Sequence, residues 1–404
     1  MSKVNWESTS IGINSDTLPL TAFWELSVAE QTPQFQLTFE YTVDNTEIIT
    51  QTKSWWTVTQ ANAMAVLNTT STAWRYAMIQ SKQHAKYRAW FGWLLKFTWL
   101  FDWWASWKEI LIWLADELWS TARFKNWFMF GKKTTNEISI FRFQGDTLVE
   151  EIPASQWNYK SNLVWTLNET KINIAFIKFQ YLWAWPINFY VEDPVTQKVV
   201  LVHQIKYAWL NTTPSIYNPN FHFIAYVNNG AVASETTLKT ASVWFFVEWK
   251  TEFWELHQPQ FSSWTITKAW VTAEIPLFTI RNKALYASKT NFIDIILELV
   301  SISIEASSAN NQWTIRLIRN ATLTGVSYAD INATNSVIEL DTSATVVSWW
   351  RELMSLQLAN KNDRIFQDLT NLKTLLNPND SITIWVSSVN SATFKGSLLW
   401  KELF

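Results

Sequence analysis

The chain has no cysteine, and only seven glycines and ten prolines among 404 residues. Without cysteine there is no disulfide scaffold, no thiolate metal site and no cysteine nucleophile. Charge is also scarce, at 16% of residues, and balanced: Lys+Arg 32 against Asp+Glu 34 leaves −2. No basic stripe appears, so the surface is not one built for nucleic acid. Hydrophobic residues make up 48%, too many for a disordered chain. Residues 1–16 lack the apolar core of a secretory leader and read as having none. The length suits two domains.

Against this poverty of glycine stand 29 tryptophans. Ordinary proteins hold about 7% glycine, so here tryptophan has taken up a glycine deficit. The tryptophans also follow Asn, Asp and Ser, where turns need positive φ. Asp102-Trp103-Trp104-Ala105-Ser106-Trp107 reads as a glycine loop, and Asn126-Trp127 as an Asn-Gly hairpin turn. Ser54-Trp55-Trp56, Glu248-Trp249-Lys250, Ser263-Trp264-Thr265, Asn311-Gln312-Trp313 and Ser348-Trp349-Trp350 repeat the pattern. The simplest reading is that most of these codons are UGA, decoded as glycine in the source. Some bacterial lineages and their phages do so. Trp157 and Trp400 lie in contexts that suit a true tryptophan. On this reading Trp103, Trp104, Trp127, Trp249, Trp313, Trp349 and Trp350 belong in turns or at strand ends, several exposed or at positive φ. The alternative is a chain rich in true tryptophan, with exposed rings for sugar stacking or a membrane belt.

The dominant hydrophobic period is two, the signature of half-buried strands. It runs through Gln34–Tyr41, Glu137–Phe143, Ile172–Phe179, Asn188–Glu192 and Lys198–Ile205. Asp193-Pro194 reads as the turn of a hairpin. His222–Val227 and Leu238–Val247 add strands. A second block holds Phe292–Ile304, Thr314–Arg319, Val337–Leu340, Met354–Leu358 and Ser381–Val386. Short helices are expected at Ala61–Val66 and Asp368–Leu376. Trp90–Trp107 is apolar, but Lys96 and Asp102 interrupt it, and a strand is expected rather than a membrane span. The fold class is therefore all-β, with two antiparallel β-sandwich domains. The expected divisions are an N-terminal arm at 1–20, a sandwich at 21–250, a linker at 251–274 and a second sandwich at 275–404.

Chemistry-bearing constellations are few. His84, His203, His222 and His257 show no helical metal spacing, and no metal site or cofactor is expected. A glycosidase needs two carboxylates across a cleft, and in sandwich enzymes these often alternate along one strand. Adjacent Glu192-Asp193 point oppositely, Glu248, Glu252 and Glu255 do not keep period two, and Asp116-Glu117 falls at a turn. Asp330-Ile331-Asn332 and Asn377-Pro378-Asn379-Asp380 have calcium-type oxygens but read as Asx turns. No phosphate loop, dinucleotide fold or nucleophile elbow emerges, even with every tryptophan read as glycine. No catalytic residue is assigned.

With tryptophan read as glycine, two stretches resemble tailed-phage virion structural proteins. The first runs from Ser81-Lys82-Gln83-His84 through Trp127-Phe128-Met129-Phe130-Gly131 and Phe189-Tyr190-Val191-Glu192-Asp193-Pro194 to Val200-Leu201-Val202-His203. The second comprises Arg319-Asn320-Ala321-Thr322-Leu323-Thr324-Gly325, Asn335-Ser336-Val337-Ile338-Glu339 and Trp400-Lys401-Glu402-Leu403-Phe404. The resemblance implies a lectin-like first sandwich of jelly-roll type in a non-enzymatic, surface-displayed virion protein: a head fibre, a decoration protein or a tail adhesin. It implies other virion proteins as partners, a homo-oligomer of trimeric kind, assembly in the host cytoplasm and a host-surface glycan as ligand. It implies neither nucleic-acid binding nor membrane insertion, and supplies no catalytic residues. The competing readings are a cellular or secreted carbohydrate-binding protein and, behind it, a glycosidase.

Overall fold

The computed structural model describes residues 31–403 except 54–57, 86–90, 102–107, 117–124, 164–166, 181–183, 219, 249–258, 307–312, 349–350, 359–361 and 373. The chain forms two compact units, Met1–Glu252 and Phe253–Phe404. The expected arm at 1–20 lies outside the described residues.

In the first unit the strands are β1 (Gln31–Thr38), β2 (Ile48–Thr52), β3 (Thr59–Ala61), β4 (Met64–Asn68), β5 (Tyr76–Ala85), β6 (Gly92–Phe101), β7 (Glu109–Ala115) and β8 (Trp127–Lys132). They continue as β9 (Ser139–Gln144), β10 (Thr147–Pro153), β11 (Asn173–Gln180), β12 (Ile187–Glu192), β13 (Val199–Ile205), β14 (Phe221–Asn228), β15 (Thr237–Thr240) and β16 (Ser242–Glu248). The larger sheet has the order β13-β12-β11-β6-β15-β4-β3, with β16 also on β6 and β1 on β16. The smaller sheet has the order β10-β9-β8-β7-β14-β5-β2. Strand β6 shows why they stack. Trp93, Leu95, Phe97, Trp99 and Phe101 enter the core, while Lys96 and Thr98 alternate outward. They meet Phe128, Phe130, Phe221 and Phe223 of the smaller sheet. Each such side chain contributes about 1.5–3 kcal/mol on leaving water. The far face of the smaller sheet carries another apolar layer, with Met78, Trp113, Trp127, Met129, Phe141 and Tyr226.

The second unit is also two antiparallel sheets, each of six strands. Asp294–Ala306, the long strand expected near 292–304, pairs along its length with Ala392–Leu403. The latter alternates buried and half-buried residues without a break. Ile275–Asn282, Trp313–Arg319 and Ser381–Ser388 are central in the facing sheet. The chain is thus all-β with antiparallel sandwiches.

Two expected helices are corrected. Ala61–Val66 is not helical: Asn62 and Ala63 take positive φ and turn the chain between β3 and β4. Asp368–Leu376 holds only a 3₁₀ turn, Thr370–Leu372, between short strands. Its apolar residues serve sheet edges, which override helix propensity. The segment 251–274 contributes the strands Gln260–Ser262 and Ile266–Val271, both paired with Ala392–Leu403. Expected strand Leu238–Val247 is broken at Ala241, whose N–H donates to Thr98 Oγ1 at 2.8 Å.

Fourteen tryptophans fall on described residues, and eight of them are buried. Trp127 and Trp313 begin strands, as expected, but are buried rather than exposed. Trp127 stacks on Phe143 at 3.6 Å and Trp113 at 5.5 Å. Trp103, Trp104, Trp249, Trp349 and Trp350 lie outside the described residues. Four others, Trp74, Trp209, Trp264 and Trp270, have φ of 62°, 67°, 43° and 60°. They are 64%, 102%, 58% and 82% exposed. Trp209 is the third residue of a turn closed by Leu210 N–H on Tyr207 O at 3.2 Å, the glycine place of a type II turn. Trp270 sits at a bulge opposite Ala392–Phe394, where a left-handed residue is normally glycine. The buried pair Trp157 and Trp400 instead donate their indole N–H, to Ile152 O and Glu402 Oε1, each at 3.1 Å.

Candidate functional site

The first sandwich has a cavity of about 500 Å³ where the turn before β9, the 3₁₀ turns after β10 and the segment leading to β11 converge. Two 3₁₀ turns, Ala154–Gln156 and Lys160–Asn162, fold the chain back over the sheet ends. Between them Trp157 is driven into the core, edge-on to Phe130 at 6.1 Å. Its indole, with Ile138, Ala154, Leu163 and Leu167, makes the apolar wall.

Asn136, Glu137, Ser155, Lys160 and Glu169 bring polar groups to this wall. Ser155 N–H donates to Glu137 Oε2 at 2.9 Å, and Lys160 Nζ to Ser155 O. The hydrogen bonds from Ser155 hold the exposed Glu137 carboxyl below the usual range. Beneath, the Lys132 side chain is fully buried and is paired with Glu169. Lys132 Nζ also donates to Asn136 Oδ1 at 3.2 Å. The fork between Lys132 and Glu169 thus fixes one rim of the cavity.

Alternating polar groups over an apolar wall suit a ligand with hydroxyls on an apolar ring. They are poorly arranged for glycoside hydrolysis, which needs one carboxyl held protonated near neutrality. Glu137 is pushed the other way, and Glu169 is tied to an ammonium. The carboxyls that burial does raise, Asp116 and Glu248, line no part of this cavity.

None of the cavity residues except Trp157 was singled out by the sequence. The residues that were singled out lie elsewhere. Asp116 locks the β7–β8 connection, accepting from the N–H groups of Lys125 and Asn126 and from Asn126 Nδ2. Asp193 caps its turn through Val195 and Thr196 N–H, next to Glu192 at the end of β12. Asn332 makes an Asx turn with Thr334 and Asn335, while Asp330 pairs with Lys283 at 2.5 Å. Asp380 accepts from Arg319, Asn320 and Asn377. Glu117, Glu252, Glu255 and His257 lie outside the described residues.

Strand pairing makes His84 and His222 direct cross-strand partners, with ring centres 5.6 Å apart. Spacing along the chain gave no sign of this. Among the described residues no group of three or more metal-ligating side chains occurs. His203 accepts a hydrogen bond at Nδ1 from Asn158 N–H at 3.3 Å. Burial pushes its pKa down to about 4.

No protein-family model matches the chain, and no curated protein matches it. Among solved structures it is similar to lectin II from Ulex europaeus, at 10% identity and TM-score 0.36, over 54% of this chain and 100% of that one. It is similar to the metal-free carbohydrate recognition domain of Emp46p, at 10% identity and TM-score 0.37, over 54% of this chain and 98% of that one. A pseudo beta-1,3-glucanase of Mycobacterium tuberculosis gives 8% identity and TM-score 0.37, over 53% of this chain and 98% of that one. Similarity at this level says nothing about ligand or activity.

Proposed function

We propose that the protein is a non-enzymatic structural component of a tailed-phage virion, displayed at the particle surface as a homo-oligomer. Its first sandwich binds a host-surface saccharide in the cavity walled by Trp157. Its source decodes UGA as glycine. The observation that carries this reading is backbone: four exposed tryptophans occupy left-handed conformations in turns and a bulge. A bulky residue at positive φ is a genuine outlier, whereas glycine meets no penalty there. Chains that carry glycine at UGA come from the bacterial lineages and phages that reassigned the codon. The cavity supports the ligand class through its mixed polar rim and apolar wall.

Peptide mass spectrometry of purified particles from the source culture tests both halves. Glycine masses at 74, 209, 264 and 270, found in particles, are expected. Tryptophan masses there would remove the recoding. Peptides found in cells but not in particles would favour a cellular carbohydrate-binding protein. A glycan array separates a saccharide binder from a purely structural protein, and release of reducing sugar from host envelope would reveal an enzyme.

A further inference from the structure

The outer face of the larger sheet carries an unusual set of charges. Register puts Tyr190, Phe176, Lys96 and Trp244 in one row across β12, β11, β6 and β16. The next row holds Asn188, Lys178, Leu94 and Phe246 across β12, β11, β6 and β16. Lys96 Nζ lies 4.9 Å from the Phe246 ring centre and 5.9 Å from that of Phe176. Lys178 Nζ lies 5.1 Å from the ring centre of Tyr190. Each ammonium thus rests on an aromatic face. Among the described residues neither forms an ion pair or donates a hydrogen bond. Among the described residues Glu248 is the only carboxylate that acts on Lys178. Its Oε2 lies against Gly92, where a Cβ would come within 2.1 Å of it.

Burial penalises all three charges, holding both lysines below their ordinary range and Glu248 above its own. Two cations against one anion leave one positive charge in a partly dry place with its N–H donors unfilled. Such a cluster favours a single oxyanion bridging the two ammoniums. The neighbouring amides, Asn188 and the Gln204 bonded to it at 2.8 Å, suit hydroxyls beside that oxyanion.

We propose that this face binds the carboxylate of a uronic-acid saccharide between Lys96 and Lys178. The choice of a saccharide rests on the reading of the first sandwich given above. The site itself is separate from the cavity and is bordered by Trp244, which pairs with Lys96 and packs against Phe246.

Titration calorimetry of the full chain with trigalacturonate tests it, against the neutral galactose trimer and inorganic phosphate. Trigalacturonate should bind about tenfold or more tighter than the neutral trimer, since one charge-assisted contact is worth that much. Lys96→Met and Lys178→Met, which keep the aliphatic stems, should each weaken it roughly tenfold with melting temperature retained. Lys178→Arg should keep binding. Equal affinity for the neutral trimer, or indifference to both Lys→Met changes, would overturn the proposal. Phosphate displacing trigalacturonate at equal concentration would also overturn it. Neutral-trimer binding that is lost in Ser155→Pro and kept in both Lys→Met variants would place that binding in the cavity, so failure of the cavity and failure of this face are read separately.

Discussion

Replacing Trp74, Trp209, Trp264 and Trp270 by glycine should stabilise the protein, the reverse of what truncating a large apolar residue normally does. All four side chains are more than half exposed, so little buried area is lost. What is removed is a left-handed backbone imposed on a residue with a Cβ, worth about 1–2 kcal/mol each. Glycine gives back roughly 0.5–1 kcal/mol through the greater freedom of its unfolded chain. The net gain is about 0.5–1 kcal/mol per site. Trp74 and Trp209 lie in the first unit and Trp264 and Trp270 in the second, so each unit should gain about 1–2 kcal/mol. At a few degrees per kcal/mol, each thermal transition should rise by roughly 3–6 °C. Trp157→Gly and Trp400→Gly are the controls. Each removes a buried indole and its hydrogen bond, and each should cost at least about 4 kcal/mol.

Scanning calorimetry of the wild type, the two paired variants and the two controls measures this. Opposite signs for the two groups are required. If the paired glycine variants melt lower than the wild type, the positive-φ tryptophans are supported by contacts that outweigh their backbone strain. The steric argument for recoding would then fail at those positions.

Glu169→Gln should destabilise the first unit by about 3 kcal/mol, because it leaves the fully buried Lys132 ammonium without an opposite charge; urea denaturation at neutral pH reads this. His203 has a folded pKa near 4, below the ordinary 6.5, so the unfolded chain binds the extra proton between these values. Stability of the first unit should therefore fall as pH drops from about 6.5 to 4, by about 2 kcal/mol after allowance for partial solvent access. His203→Gln, whose amide oxygen can still accept from Asn158 N–H, should flatten that slope in denaturation at pH 7 and 4.5. Trp99→Phe and Trp313→Phe should be neutral or mildly stabilising by thermal melt, since both indole N–H groups are buried without a hydrogen-bond partner.

Strands were readable because one buried face imposes period two, and segments such as Asn173–Gln180 and Ile187–Glu192 keep it cleanly. The sites were not, for a physical reason. Glu137, Ser155, Lys160 and Glu169 sit in or beside turns separated by up to 32 positions, and only the closure of two sheets brings them to one cavity. Lys96 and Lys178 look like ordinary outward residues until register sets their strands side by side. The one cavity residue legible beforehand was Trp157, and its legibility bears on everything else. The proposed reading of tryptophan as glycine bears on the connections where Trp209 and Trp264 stand, and on the apolar layer holding Trp113 and Trp127. It does not reach Trp157, which fills space against Phe130 and satisfies its indole. It does reach the lysine face, where Trp244 pairs with Lys96 and packs against Phe246 at 5.5 Å. The proposed recoding therefore bears on stability, turn geometry and the lysine face, and saccharide binding in the cavity can be tested on either form of the chain.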